Sequence, residues 1–370
     1  MRSFCWLVGL LLLVSVTASA DDGDYAIRLA VAGNLPEVSV QAQNLRLLDA
    51  DVRDELLRPR DGAAKLRAGK EGIDIAGIKF SPRSVILAGD GPLQVDGRKL
   101  TGEVEVAWSA NGLAVYNNLP LEIYVEGVIA AEMNETWPVE ALKAQAVAAR
   151  TFALRRMVYR QGEDFDVSVS TIDQVYSGIA KVGDRVRAAV EKTDGEVLTY
   201  GNIPAEAVFH SCCGGETRSA EEAFGGKRAY LVAVRDPDCR DCPHAQWTAE
   251  VTLGQLGEML TKAGKFNARI DTVRETTNSG GRKGIEIVGD KGKQTLFVTR
   301  EQLRMLLSGI LLSSRFSWQI ERGTIRFKGR GYGHGVGMCQ WGARGMAGRG
   351  VDYRGILKRY YPGCQLRRLY

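Results

Sequence analysis

The residues best equipped for chemistry lie between Pro120 and Arg160, PLEIYVEGVIAAEMNETWPVEALKAQAVAARTFALRRMVYR. Glu132 closes a run carrying Ile123, Val125, Val128 and Ile129. It stands between Ala131 and Met133, just ahead of Trp137-Pro138. Apolar surroundings hold a carboxyl protonated towards neutral pH, the condition a general acid needs. Glu122, Glu126, Glu135 and Glu140 occupy more polar contexts. Lys143, Gln145 and Arg150 follow in a stretch of small apolar residues, and Lys143 and Arg150, seven apart, share a helix face to within roughly 20°. Charges on so apolar a helix need a partner or a polar cleft. A structural reading therefore stands beside the catalytic one: Glu132 as an acid paired with Arg150 or Lys143, which would lower its pKa.

The elements that must position these groups are two helices with a sharp break. The first ends near Ala130-Ala131-Glu132-Met133. Pro138 lacks an N–H but fits a first helical turn, so the second is predicted from Trp137-Pro138 to about Val158. Glu140 falls in its first turn, where an acid complements the dipole. Ala141, Leu142, Ala144, Ala146, Val147, Ala148, Ala149, Ala153 and Leu154 make it apolar nearly all round, which predicts burial.

With 370 residues the chain has room for two domains or one large one. Its 45% hydrophobic and 25% charged content is that of an ordinary globular protein. The N-terminus reads as a leader for export: Arg2, an apolar run from Trp6 to Val16 too short for a membrane span, and Ala18-Ser19-Ala20 as cleavage site. The expectation is an exported protein, periplasmic or extracellular, soluble after cleavage. Net charge is +5, or about +4 once Arg2 is subtracted. That suits an acidic polymer, and without a basic cluster interleaved with aromatics it does not point to nucleic acid.

Residues 21–113 read as a β-rich region. Ile27 to Val31, Ile73-Ile75, Val85-Leu87 and Val104-Val106-Trp108 alternate, with turn signals at Ala88-Gly89-Asp90-Gly91-Pro92 and Val95-Asp96-Gly97. Scaffold is the expected role. The charged stretch Asp51 to Lys70 reads as a solvated helix or loop. Residues 114–370 form the expected catalytic part, with a small α+β insertion at about 247–312. Asp166 to Gly178 predicts a short strand entering a loop, Val186 to Thr193 a helix, and Glu196 to Tyr200 with Ala205 to Phe209 a strand pair. Within the insertion, Thr252 to Lys262 and Arg300 to Leu307 read as helices, Thr299 capping the second. Met346 to Tyr361 predicts one closing helix. The fold class expected is α+β: a mixed, mostly antiparallel sheet packed on a long buried helix.

Of seven cysteines, Cys5 falls in the leader, leaving Cys212, Cys213, Cys239, Cys242, Cys339 and Cys364. An even count in an exported protein favours disulfides. A structural zinc at His210, Cys213, Cys239, Cys242 and His244 is the minority alternative. Adjacent Cys212-Cys213 is poor spacing for a tetrahedral site, since neighbours on a strand point opposite ways. Without an HExxH-type motif a catalytic zinc is least expected. Cys339 and Cys364 flank the closing helix and would tie the tail down. Near the C-terminus glycine alternates from Gly329 to Gly337 around Tyr332 and His334. Such a loop allows close backbone approach, but it lacks the ending of a P-loop and implies no nucleotide.

Two stretches carry a family resemblance. AAEM followed by WPVEALKAQAVAARTFAL, and later GRGYGHGVGMCQWGA from Gly329 to Ala343, closely resemble the SpoIID/LytB family of cell-wall proteins. The resemblance covers most of 114–370. It implies either a lytic transglycosylase that cuts peptide-free peptidoglycan strands or an enhancer of a cell-wall amidase. In the first case Glu132 matches the family's proposed acid, and one carboxyl suffices because the muramic acid C6 hydroxyl is the nucleophile. No cofactor is needed, although some relatives carry a structural zinc. Lys143, Gln145 and Arg150 match similar positions, with Lys143 or Arg150 expected at the lactyl carboxylate of the glycan. Gln174-Val175-Tyr176 matches a family motif, read evenly as sugar-binding or as a turn with Tyr176 packed on the core. Tyr332 and His334 are placed in the glycan cleft in preference to a histidine that pins a buried loop. The family also suggests a Cys213–Cys239 pair, leaving Cys212 with Cys242. Asn134 stands where many relatives have proline and is expected to loosen the turn. A third reading, a disulfide-stabilised envelope protein without a specific ligand, is disfavoured by the acid and the glycine-rich loop together.

Overall fold

A computed structural model describes residues 25–75, 77–80, 83–169, 176, 178–281 and 283–370. The leader and Gln174 lie outside them. The fold is α+β, with mostly antiparallel sheets. Two compact units divide the chain: 1–124 with 153–180 and Tyr370, and 125–152 with 181–369. No described helix is long and apolar enough to cross a membrane.

The first unit is built on one sheet whose spine begins Val167–Ser168, Ala26–Leu35, Gly112–Pro120, Glu103–Ser109, Ser84–Val95, Glu37–Asp49. Alternation does what period-two patterning demands: Ile27 and Leu29 are buried on one strand and Val104 and Val106 on another. The sheet continues past residue 113, because Gly112–Pro120 pairs with both Ala26–Leu35 and Glu103–Ser109. Asp96 and Gly97 both have positive φ between the paired Val95 and Arg98, the geometry of a tight hairpin.

Two expectations fail here. The charged 51–70 stretch contains strands Glu55–Leu57 and Ala63–Ala68. Ala64 and Leu66 are buried at period two while Lys65 and Arg67 face solvent and pair with Glu37, so the charges mark one face of a strand. The glycines at 89 and 91 do not end a strand either. Ser84–Val95 runs through them, and its register against Glu37–Asp49 shifts there as a bulge.

In the second unit residues 247–329 hold their own core, from Trp247 and Val251 through Leu256, Ile285 and Leu303 to Phe327. This module outruns the expected insertion because Trp247–Thr252 pairs with Thr324–Gly329. Both its helices begin on capping boxes, Thr252 with Gln255 and Thr299 with Gln302. Two further differences bear on function. Phe209–His210 pairs in parallel with Met338–Cys339, while Glu196–Tyr200 takes Ile203–Pro204 and Gln365–Arg368 as neighbours. The closing helix is two, Gln340–Gly348 and Tyr353–Tyr360, because Gly350 turns at φ +87° and Asp352 caps the second through Gly355 N–H.

Candidate functional site

Glu132 is the last residue of the Leu121–Glu132 helix, and Val139–Tyr159 begins after a short turn. That turn is tight. The Asn134 carboxamide oxygen accepts from Thr136 N–H at 2.9 Å and Thr136 Oγ1 at 2.8 Å. Arg185 donates to the carbonyls of Glu135 and Trp137, each at 2.9 Å. Asn134 therefore organises the turn, against the expectation that it loosens it.

Gln340 donates its amide to Glu132 Oε2 at 3.2 Å and lies 3.5 Å from Gln145 Oε1. Both glutamines are buried, and Gln145 Nε2 has no hydrogen-bond partner among the described residues. A buried donor in that state costs about 1–3 kcal/mol. Trp137 meets Trp341 edge-on at 5.1 Å. The Arg344 guanidinium sits 4.7 Å from the Trp341 ring centre and 5.6 Å from that of Trp137. Trp341 and Arg344 are three apart on one helix, so they share a face. The result is an acid, two amides, two indoles and a guanidinium drawn from both signatures. An indole pair offers an apolar platform for a sugar face, and the guanidinium a bidentate partner for a carboxylate.

Lys143 and Arg150 are placed differently from one another. Lys143 pairs with Glu140 at 2.7 Å and lies 5.5 Å from the Tyr353 ring. Arg150 has no exposed surface and donates to Glu196 O at 3.0 Å, fastening the Val139–Tyr159 helix to strand Glu196–Tyr200. That position serves the core rather than a polymer in solvent. Tyr176 belongs to the first unit, buried and stacked on Tyr124 at 5.5 Å. The packed reading of this tyrosine describes its surroundings.

The glycine-rich loop lies along the protein's own backbone. Tyr332 and Cys212 exchange main-chain hydrogen bonds at 2.7 and 3.0 Å. Gly337, at φ +70°, runs so close to Val208 that any Cβ there would collide with the Val208 carbonyl oxygen. Tyr332 is exposed and meets the His244 ring edge-on at 5.3 Å. His334 accepts from Val336 N–H at 3.1 Å through Nδ1, so Nε2 carries the proton given to Phe209 O at 2.8 Å. Burial pulls its imidazole down to about 4, leaving it neutral with both nitrogens engaged by the main chain. The ring pins the loop.

All six described cysteines are free. The side-chain donors of Cys213, Cys239 and Cys339 gather with Asp236 within 4.8 Å of one another. Cys212 Sγ lies 3.3 Å from Cys239 Sγ. Cys339 thus joins this cluster instead of Cys364, and neither His210 nor His244 belongs to the four-residue set. Elsewhere in the unit a basic cleft of about 810 Å³ is lined by Arg218, Trp247, Arg300, Arg315, Lys328 and Arg330 among others, without Glu132.

Gln340, Trp341, Arg344 and Asp236 escape the sequence reading. The first three stand in or beside the second signature, but no local pattern says that this helix start meets Glu132.

The family model described as SpoIID, Stage II sporulation protein, matches residues 109–200, a span that holds Glu132 and both helices. An uncharacterized protein of Brachyspira hyodysenteriae is 37% identical over 256 residues, covering 69% of this chain and 68% of that protein. Stage II sporulation protein D of Bacillus subtilis is 34% identical over 264 residues, 67% of this chain and 75% of that one. The amidase enhancer of Bacillus subtilis is 28% identical over 292 residues, 65% of this chain and 40% of its own length. The identities, taken with the share of the relatives' length that they cover, show that the chain belongs to the SpoIID family.

Proposed function

We propose that this protein acts on the bacterial cell wall as a peptidoglycan lytic transglycosylase, with Glu132 as its acid and then its base. The observation that carries the reading is the grouping of Glu132 with Gln340, Gln145 and the Trp137–Trp341–Arg344 platform. Protonated Glu132 gives its proton to the glycosidic oxygen between MurNAc and GlcNAc. The resulting carboxylate takes the proton of the C6 hydroxyl as that oxygen attacks C1, closing a 1,6-anhydro ring and restoring the acid. Gln340 orients the carboxyl, and Gln145, wholly buried, backs Gln340 from within the core. Arg344, stacked on two indoles, partners the lactyl carboxylate in preference to Lys143 and Arg150, and that carboxylate is free where the stem peptide is absent. Export of the mature chain from Asp21 fits a wall substrate.

A second reading rests on the similarity to an amidase enhancer. In it the same platform binds glycan and presents it to an amidase, and Glu132 is dispensable. Mass spectrometry of peptide-free glycan strands incubated with the protein separates the two. Anhydro-ended fragments from the wild type and none from Glu132→Gln support the transglycosylase. Binding without cleavage by either protein supports the enhancer.

A further inference from the structure

Strands Trp247–Thr252, Thr324–Gly329 and Phe316–Glu321 form one antiparallel sheet with Thr324–Gly329 at its centre. Ile325 and Phe327 are buried, so by period two Arg326 and Lys328 stand on the other face, and both are exposed. Arg330 follows two residues on, is exposed as well, and gives its N–H to Arg315 O at 3.0 Å. Register sets Glu250 and Gln319 beside Arg326, and Thr248 and Ser317 beside Lys328.

Charge on this central strand is matched at one end only. Arg326 pairs with Glu250 at 2.9 Å and with Glu321 at 2.8 Å. Lys328 and Arg330 have no ion-pair partner among the described residues. Both line the cleft of about 810 Å³, together with Thr248 and Ser317. Its other cations are already committed. Arg218 is buried against Glu222 Oε1 at 2.9 Å and Ser314 Oγ at 2.6 Å. Arg300 pairs with Glu275 and lies 4.9 Å from the Phe316 ring centre. Arg315 gives N–H groups to the carbonyls of Cys213 and Glu216. Burial and, after it, the charge of Arg330 lower the Arg315 pKa, so the two guanidiniums repel one another. An oxyanion in the cleft relieves that repulsion.

The neighbours of the two uncommitted cations indicate what kind of acid fits. About 7 Å of extended chain separates Lys328 from Arg330. A guanidinium takes a carboxylate bidentately and an ammonium meets it as a point charge. Gln246, Thr248 and Ser317 add neutral donors and acceptors alongside. Neutral groups interleaved with sparse positive charge suit a chain of hydroxylated sugars that bears an occasional carboxylate. They suit a dense polyphosphate less.

Position selects the ligand further. Arg330 stands at the start of the glycine-rich loop, and Gln340, which donates to Glu132, comes ten positions later. Ten residues span at most about 36 Å of extended chain. One polymer strand is long enough to occupy the cleft and the Glu132 site together.

We propose that the cleft at Lys328 and Arg330 is a second binding site for the acidic glycan, holding a carboxylate of the strand at a distance from the sugars at Glu132. The choice of ligand rests on the reading of the Glu132 site as a glycan site. Strand length then governs affinity, because only a strand that reaches both sites gains both sets of contacts.

The test is calorimetric titration of peptide-free glycan, sorted by length, into the full exported chain carrying Glu132→Gln, so that no strand is cut. Long strands are expected to bind about tenfold more tightly than strands too short to span both sites, the worth of two exposed charge contacts. Lys328→Gln with Arg330→Gln removes that increment, while short strands bind as before. Lys262→Gln with Lys283→Gln, an equal loss of exposed charge outside the cleft, retains it. Long strands with their carboxylates reduced to alcohols also lose the increment, and this measurement leaves the cleft unaltered. The proposal is overturned by equal Kd for long and short strands, or by an increment that survives the cleft variant or carboxyl reduction. Equal losses in the two double variants overturn it too, as does tighter binding of poly(glycerol phosphate) than of long glycan. Short strands that do not bind at all count against the glycan reading of the Glu132 site. Long-strand binding that is lost with Lys328 and Arg330 supports the cleft even then.

Discussion

Gln340 and Glu132 stand 208 positions apart, and the amide of one donates to the carboxyl of the other at 3.2 Å. Gln340 opens a helix whose preceding residue, Cys339, is held by a parallel strand pairing, and Glu132 closes a helix whose following turn is clamped by Arg185. Each is fixed by a different part of the second unit, so their contact depends on both.

Replacing Gln340 by Leu keeps volume and removes the donor. Misplacement of a reacting group by about 1 Å can cost about 100-fold in rate. The expected outcome is a loss of that order in kcat for anhydro-fragment release, with glycan KM little changed. A pure loss of binding would contradict the positioning role.

Arg150 and Lys143 should separate stability from surface electrostatics. Arg150→Met leaves the Glu196 carbonyl without a buried donor and is expected to destabilise by about 2–4 kcal/mol, read as a lowered urea midpoint. Lys143→Met removes a partly exposed pair with Glu140 and should cost less than about 1 kcal/mol. Equal effects would contradict the burial argument.

Trp341→Ala removes one wall of the platform and one support of Arg344. Loss of an aromatic contact and a cation–π contact amounts to about 1–2 kcal/mol, or roughly tenfold or more in Kd. Isothermal titration with peptide-free glycan checks this. Arg344→Glu should weaken binding further, and chiefly for glycans that carry a free lactyl carboxylate.

His334 gives the protein an acid-side instability. Burial, the largest cause, lowers its pKa from 6.5 to about 4. Between those values the unfolded chain binds more protons than the folded one, so stability rises with pH. The contribution is fully present above about pH 6.5 and is lost as pH falls towards 4. It amounts to about 1–3 kcal/mol. Thermal unfolding should show His334→Phe less stable at pH 7 through its lost hydrogen bonds, with the gap to wild type narrowing as pH falls to 4.

Legible in the residues alone were the two helices around Glu132, the alternating strands of the first unit, the turn at Asp96-Gly97, the helix from Thr252 and the Thr299-capped helix that follows it. These rest on periodicity, proline and cap chemistry, which act within a few residues. Local patterning misplaced the 51–70 strands because charge on one face concealed alternation on the other. It read one closing helix where Gly350 and Asp352 make two. That Phe209–His210 runs parallel to Met338–Cys339 is a property of the folded chain. That pairing closes a loop of well over a hundred residues, and no local preference encodes which distant strand a short one will take. It brings Cys339 to Cys213, Asp236 and Cys239, and Gln340 to Glu132. Local interactions could form the helix that ends in the acid. The partner it meets depended on packing across the whole unit.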